Sequence, residues 1–266
     1  MKKRIIFISV LALISSLLIN FHYSFFQLLM KVRDSTYSDL RFYSNKKAPE
    51  HKKWNDLLKK HVSHEGKVDY INFRKDSNLL KEYIQTLSNQ YPNDTVWNNQ
   101  ELLCYWINSY NANTILLVIR NLPVSSIKEI GFIFGNPWNI KFIKVGNKTI
   151  SLEDVEHKIL RKKNENRIHF AINCASNSCP MLLNTAYTPD KLEEQLKKQT
   201  KLFISDTEKN IISNSEIKLS KIFKWFESDF TKKESVISFI NSNSTYEINE
   251  DIKISYLKYD WNLNCK

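Results

Sequence analysis

The stretch from Asn99 to Arg120 constrains the fold most. It carries Leu102, Leu103, Trp106, Ile107, Tyr110, Ile115, Leu116 and Val118 and reads as the most apolar helix of the chain, ended by Pro123. Inside it lies Trp106-Ile107-Asn108-Ser109-Tyr110-Asn111-Ala112, two asparagines three apart with a tyrosine between them. Helix propensity does not favour asparagine there. A buried amide is costly unless hydrogen-bonded. Asn108 and Asn111, with Tyr110, therefore either pin neighbouring backbone or polarise a site.

The flanking segments alternate between helical and extended patterns. Trp54 to Val62 has a helical period, the polar turn His64-Glu65-Gly66 follows, and Val68-Asp69-Tyr70 is extended. Asn72 to Leu87 resumes a helix with Leu79, Leu80, Tyr83, Ile84 and Leu87 on one face. Phe132 to Asn136 reads as loop, and Asn139 to Val145 forms a hairpin with Thr149-Ile150 through Gly146-Asn147. Ser151 is a good N-cap, with Asp154 three residues on, for a helix through Arg161. Arg167 to Cys174 alternates as a strand. Residues 189–205 form an amphipathic helix with Leu192, Leu196, Leu202 and Phe203 inward. Ile217 to Leu219, a helix with Trp225, Phe226 and Phe230, and an aromatic tail from Tyr256 to Trp261 close the chain.

Helices outnumber strands, so the expected class is α+β: a mainly helical single domain with a small antiparallel sheet. With 42% hydrophobic and 12% aromatic residues the chain can bury a sizeable core. Its 4 glycines, none in a G-x-G arrangement, argue against a Gly-rich phosphate loop and a doubly wound nucleotide fold. No cofactor is expected.

The first 33 residues read as a membrane segment. Lys2, Lys3 and Arg4 precede an apolar run from Ile5 to Asn20, aromatic residues follow, and Lys31 and Arg33 close it. No small-residue cleavage pattern lies between Ser15 and Ser35, and the length suits a hydrocarbon core of roughly 30 Å. Residues 1–33 are thus expected to anchor the chain, 34–50 to form a juxtamembrane linker, and 51–266 to form one domain on the extracytoplasmic face. A cleaved signal peptide is the alternative, and it too places the domain outside the cytoplasm. The net charge of +11, from 39 Lys+Arg against 28 Asp+Glu, is dispersed in short pairs such as Lys52-Lys53. That pattern suits a solvated face, and no nucleic-acid partner is expected.

Chemistry-bearing residues concentrate between 152 and 180: Glu153, Asp154, Glu156, His157, His169, Cys174 and Cys179. A thiolate nucleophile needs a nearby imidazole. Cys174 leaves the expected strand into the loop Ala175-Ser176-Asn177-Ser178, His157 lies on the helix just upstream, and Glu153 sits one turn before it to orient the ring. The same residues admit a structural reading, with Cys174 as a core residue or bridged to Cys179. A metal site is not expected, because the spacing of His157, His169, Cys174 and Cys179 fits no common zinc pattern. Cys104 reads as a core thiol and Cys265 as free, with a bridge between the two as the open alternative.

Five blocks occur in one order: residues 106–112, Leu-Glu-Asp-Val-Glu-His-Lys-Ile-Leu-Arg at 152–161, Arg-Ile-His-Phe-Ala-Ile-Asn-Cys-Ala-Ser-Asn-Ser-Cys-Pro at 167–180, Ala-Tyr-Thr at 186–188, and Leu-Ser-Lys-Ile-Phe-Lys-Trp-Phe at 219–226. Together with the lead-in from Leu57 to Tyr70 they closely resemble domain-of-unknown-function family 547. The resemblance centres the site on Glu156-His157, Arg161 and Cys174, and it does not require a Cys174–Cys179 bridge. It favours Cys174 as nucleophile and His157 as general base, with Glu153 and Glu156 beside them. Asn108, Tyr110, Asn111, Arg161, His169, Asn173 and Cys179 are expected to support the site or its oxyanion. The resemblance implies a cysteine-protease or transglutaminase-like fold and a reaction at an amide of a peptide or small thiol peptide, either hydrolysis or transfer. A membrane-tethered binding or scaffolding domain is the competing reading.

Overall fold

A computed structural model describes residues 40–131, 135–213, 216–232 and 234–266. The expected membrane segment 1–33, the start of the linker and Phe132 to Phe134 lie outside the described residues. Residues 40–266 form one compact unit of α+β class, with helices dominant and small sheets.

The helix Asn99–Arg120 runs through the middle of this unit. Asn98 caps it reciprocally: its side chain accepts the Glu101 N–H at 2.9 Å, and Glu101 accepts the Asn98 N–H at 2.8 Å. Every residue from Leu102 to Ile119 is buried, which is why its sequence is apolar on all sides. Its length and hydropathy would also suit a membrane crossing, but here its apolar stretch from Leu102 to Ile119 is covered by protein.

Shorter elements surround it. The helices Lys52–His61, Tyr70–Lys75 and Ser77–Asn89 pack on one side, with Trp54 stacked on Tyr83 at 5.8 Å. Asp76 separates the last two, so the single helix expected over 72–87 is broken there, and Leu79 is 47% exposed rather than inward. Residues 40–50 were expected as linker, yet Phe42 is buried against Trp106 with ring centroids 5.3 Å apart. Burial of that one aromatic ring docks the segment on the core.

The hairpin β1 (Ile143–Val145) and β2 (Lys148–Ile150) is antiparallel, as expected. The second sheet is mixed rather than antiparallel. β3 (Ile211–Ile212) pairs antiparallel with β4 (Ile217–Leu219), and β4 pairs parallel with β5 (Ile254–Tyr256). A separate aromatic cluster, with Phe170, Phe203, Phe223, Phe230 and Phe239, joins this sheet region to the helices Leu192–Ser205, Lys221–Trp225, Glu227–Phe230 and Val236–Asn243. In Leu192–Ser205, Ile204 faces inward beside Phe203, and Leu202 is 38% exposed, against expectation.

The strand expected over Arg167–Cys174 does not form. Asn166–Phe170 is a 3-10 helix, and irregular backbone continues to Pro180. The alternation was misleading because both faces are covered: Ile168, Phe170 and Ile172 are buried, and so are His169 and Asn173. The backbone groups around 171–173 meet the side chain of Asn111 instead of a neighbouring strand.

Candidate active site around Cys174

Asparagine side chains build the loop that holds Cys174. Asn111 donates to the Ala171 carbonyl at 3.0 Å and accepts the Asn173 N–H at 2.8 Å. Asn173 accepts the Ala175 N–H at 2.8 Å and donates to the Pro180 carbonyl at 2.7 Å, so one side chain clamps both ends of the 174–179 loop. Asn108 treats residue 187 likewise, donating to its carbonyl at 2.8 Å and accepting its N–H at 3.0 Å. The two unexpected asparagines of the central helix are therefore backbone pins. Asn264 closes the loop from the far side, its N–H donating to the Ala175 carbonyl at 3.1 Å. Ala175 itself has φ +65°, a left-handed conformation rare outside glycine, immediately after Cys174.

Within this frame Cys174 is partly buried and surrounded by donors. Its sulfur lies 3.1 Å from Ser176 Oγ and 3.4 Å from the Tyr259 hydroxyl, and its N–H donates to Cys179 Sγ at 2.9 Å. The Cys174 thiol lies below the ordinary thiol range. The Cys179 hydrogen bond is the main cause, burial opposes it, and Ser176 and Tyr259 add to it. Cys179 and Tyr259 are pushed the other way, chiefly by burial, with the Cys174 charge adding to it. All four cysteines are free thiols, so the bridge weighed from sequence is not formed. Cys104 is buried in the central helix and raised to about 12 by burial, and Cys265 is exposed, as expected for both.

The other half of the site comes from the helical turn after Ser151. Ser151 and Asp154 cap it reciprocally, Ser151 N–H donating to Asp154 at 2.9 Å and Asp154 N–H to Ser151 Oγ at 3.1 Å. Asp154–Ile159 is then a π-helix, the Leu160 N–H reaching back to Val155 as well as Glu156, followed by the 3-10 turn Leu160–Lys163. A π-turn is uncommon and frequent at functional sites. Widening the turn lets Glu156 and His157, adjacent in sequence, both be buried. Glu156 accepts from the Tyr110 hydroxyl at 3.2 Å. Burial first, then the charge of Glu153, raise its carboxyl to about 8; Arg161 opposes and the Cys174 charge adds to the rise. Glu156 is thus protonated at neutral pH.

His157 Nδ1 lies 2.8 Å from Arg161 Nη1, and Nε2 lies 3.6 Å from Glu153. A guanidinium only donates, so Nδ1 accepts and the ring proton sits on Nε2, facing the carboxylate. Arg161 in turn grips Asp229 through Nε at 2.6 Å and Nη2 at 3.0 Å. His169 Nε2 meets the same carboxylate at 2.8 Å, and its ring stacks on Phe226 at 4.0 Å. Burial lowers the His169 pKa against the pull of Asp229. Burial would raise Asp229, but the His169 and Arg161 hydrogen bonds outweigh it and hold the carboxylate ionised. Arg161 and Asp229 also line a polar cavity of about 570 Å³ with Arg167 and Lys232.

Two groups thus emerge from the expected residues. Cys174, Cys179, Asn111 and Asn173 form the thiol loop, and Glu153, Glu156, His157, Arg161 and Tyr110 form the π-turn network. The charge of Cys174 acts on both Glu156 and Tyr110 and couples the groups. Sequence reasoning missed Ser176, Asp229 and Tyr259. Tyr259 lay in the aromatic tail, where Trp225, Tyr259 and Trp261 pack together and Trp138 meets Trp261 at 5.8 Å. Trp138, Trp225 and Trp261 are all partly exposed, the last two in ring contact with Tyr259. No group of three or more His, Cys, Asp or Glu side chains able to hold a metal occurs among the described residues.

Residues 95–204 match the family model described as protein of unknown function, DUF547. The match supports the family resemblance carried by the sequence blocks. The matched segment contains the central helix, the π-turn and the whole thiol loop, whereas Asp229 and Tyr259 lie beyond it. No curated protein and no solved structure matches the chain.

Proposed function

We propose that this domain is a cysteine-dependent amide hydrolase or acyltransferase with Cys174 as nucleophile. The observation that carries this reading is a half-buried cysteine, its sulfur ringed by Ser176 and Tyr259 and its N–H held by Cys179, on a loop whose next residue is left-handed. In the reaction the Cys174 thiolate attacks the amide carbonyl carbon. Glu156, protonated at neutral pH, gives its proton to the leaving amine and takes one back from the water or amine that releases the acyl group. His157 was the expected base; its ring is engaged by Arg161 and Glu153. We therefore give the mobile proton to Glu156 and a charge-setting role to His157, Glu153 and Arg161. We read the Cys174 loop and the π-turn network, coupled electrostatically through Glu156, as a cysteine-protease or transglutaminase-like arrangement. The partly exposed Trp138, Trp225 and Trp261 offer a wall for the apolar flank of a peptide or small thiol-peptide amide. The positive n-region and apolar run within residues 1–33 support an anchored, extracytoplasmic domain. The backbone-pinning roles of Asn108, Asn111 and Asn173 favour the second reading, a non-catalytic binding domain.

Alkylation of the purified full chain by iodoacetamide across pH, read at each cysteine by peptide mass spectrometry, separates the two. The nucleophile reading expects Cys174 to react with a midpoint below the ordinary thiol value of roughly 8.5, and Tyr259→Phe and Glu156→Gln to move that midpoint. An inert Cys174, or one indifferent to both substitutions, leaves the binding domain.

A further inference from the structure

Cys174 does not stand alone. Cys179 Sγ accepts the Cys174 N–H at 2.9 Å, which places the second sulfur against the backbone of the first cysteine. The two positions are held together from outside. Asn173 spans the loop between Ala175 and Pro180, and the Cys179 N–H closes a turn on the Ser176 carbonyl at 3.1 Å. Asn111 anchors Asn173 to the central helix. Both thiols are nonetheless free. The pair is also asymmetric. Cys174 is partly exposed and stabilised as thiolate, whereas Cys179 is buried and kept as thiol. An accessible thiolate beside a protected thiol is the arrangement in which one sulfur is oxidised and the other resolves it.

We propose that Cys174 and Cys179 form a hydroperoxide-responsive pair, Cys174 the oxidised residue and Cys179 the resolving one, closing a reversible disulfide. In the first step the Cys174 thiolate attacks the outer peroxide oxygen, an S–O bond forms and the O–O bond breaks. The electron pair leaves on the alkoxide, which takes a proton from the Tyr259 or Ser176 hydroxyl, and solvent restores that proton. In the second step Cys179 attacks the Cys174 sulfenic acid, the S–S bond forms, and hydroxide departs as water with the Cys179 proton. Two thiols and a hydroperoxide thus become a disulfide, an alcohol and water. A dithiol reductant reverses the outcome by exchange. The proposal does not depend on amide chemistry, since it requires a reactive thiol and a neighbour but no substrate turnover. If the amide reading also holds, the disulfide blocks the nucleophile and makes the activity sensitive to oxidant.

The test uses the pre-reduced full chain in detergent and hydrogen peroxide as the probe, at low molar excess, with acid quench and peptide mass spectrometry. The expected product is an intrachain link between Cys174 and Cys179, two hydrogen atoms lighter, reversed by dithiothreitol, with Cys104 unchanged. In Cys179→Ser, dimedone should trap a sulfenic acid at Cys174, and over-oxidation to sulfinic acid should rise at least tenfold over the native chain. Sulfinic acid at Cys174 of the native chain with Cys179 still a thiol would overturn the proposal. So would no oxidation of Cys174, or linkage through Cys265 instead. The native chain alone decides the matter if Cys179→Ser does not fold. Failure here leaves iodoacetamide reactivity at Cys174 intact, so it is distinguishable from failure of the amide reading.

Discussion

Replacing Asn111 by alanine tests whether the central helix supports the thiol loop. The substitution removes the hydrogen bonds to the Ala171 carbonyl and the Asn173 N–H, and both residues are buried, at 1% and 2% exposure. Each backbone group so orphaned costs about 1–3 kcal/mol. Alanine's better helix propensity returns about 0.7 kcal/mol at most. The net loss is then about 1–5 kcal/mol, or roughly 3–20 °C in Tm for a domain of this size. Asn113 is the internal control. It lies on the same helix and is equally buried, but its amide bonds the Ser109 carbonyl of its own helix at 2.8 Å and its carbonyl oxygen has no partner. Asn113→Ala should therefore cost less than about 1 kcal/mol. Urea unfolding of the full chain, followed by tryptophan fluorescence, gives both values. Equal losses for the two variants, or a loss under about 1 kcal/mol for Asn111→Ala, would refute the reasoning.

Two further outcomes follow from the geometry. Glu156 has its folded carboxyl raised to about 8 from an ordinary value near 4.5, so below 4.5 it is protonated in both states, and from there to 8 only the unfolded state releases its proton. Its contribution is therefore full at low pH and falls as pH rises, by about 1.4 kcal/mol per pH unit at most, a slope that Glu156→Gln should remove from urea unfolding at pH 5.5 and 7.5. An unchanged difference between those two pH values would contradict the buried-acid assignment. Gly66 has φ +74°, and a Cβ there would lie 2.5 Å from Met181 Cβ and 2.9 Å from the Leu182 nitrogen. Gly66→Ala should cost about 2 kcal/mol or more in the same assay, and a neutral result would mean the 181–182 backbone yields freely.

The helices were legible because their signals are local. The apolar run from Asn99 to Arg120, its stop near Pro123 and the Ser151-Asp154 cap stand in the structure as read. The loop around Cys174 was not legible, because its order comes from side chains of residues sixty or more positions away, such as Asn111 on Asn173. Period-2 alternation over 167–174 recorded burial on both sides, which a strand pattern cannot distinguish from a pinned irregular segment. The site residues from Glu153 to Cys179 could be found because they cluster in sequence. Asp229 and Tyr259 could not, since nothing in an aspartate or an aromatic tail reveals what it will meet. The π-turn also eluded periodicity, which separates Glu156 from His157 on an ordinary helix whereas the structure buries both.

The segment from Tyr259 to Asn264 reaches across the whole unit: Tyr259 to Cys174, Asn262 to Ser126, Leu263 to Ser176 and Asn264 to Tyr70. A nascent chain emerging from its N-terminal side therefore carries Cys174 long before anything shields it. Until these last residues are made, the thiol lacks both its tyrosine and the strap over Ala175. The loop to be closed between Cys174 and Tyr259 spans 85 positions, so closure is a late event with a real entropic barrier. A ribosome-stalled or proteolytically shortened product would present the same cysteine in an unfinished setting. The donor-ringed setting of Cys174 is in this way completed only in chains that have been synthesised past Asn264.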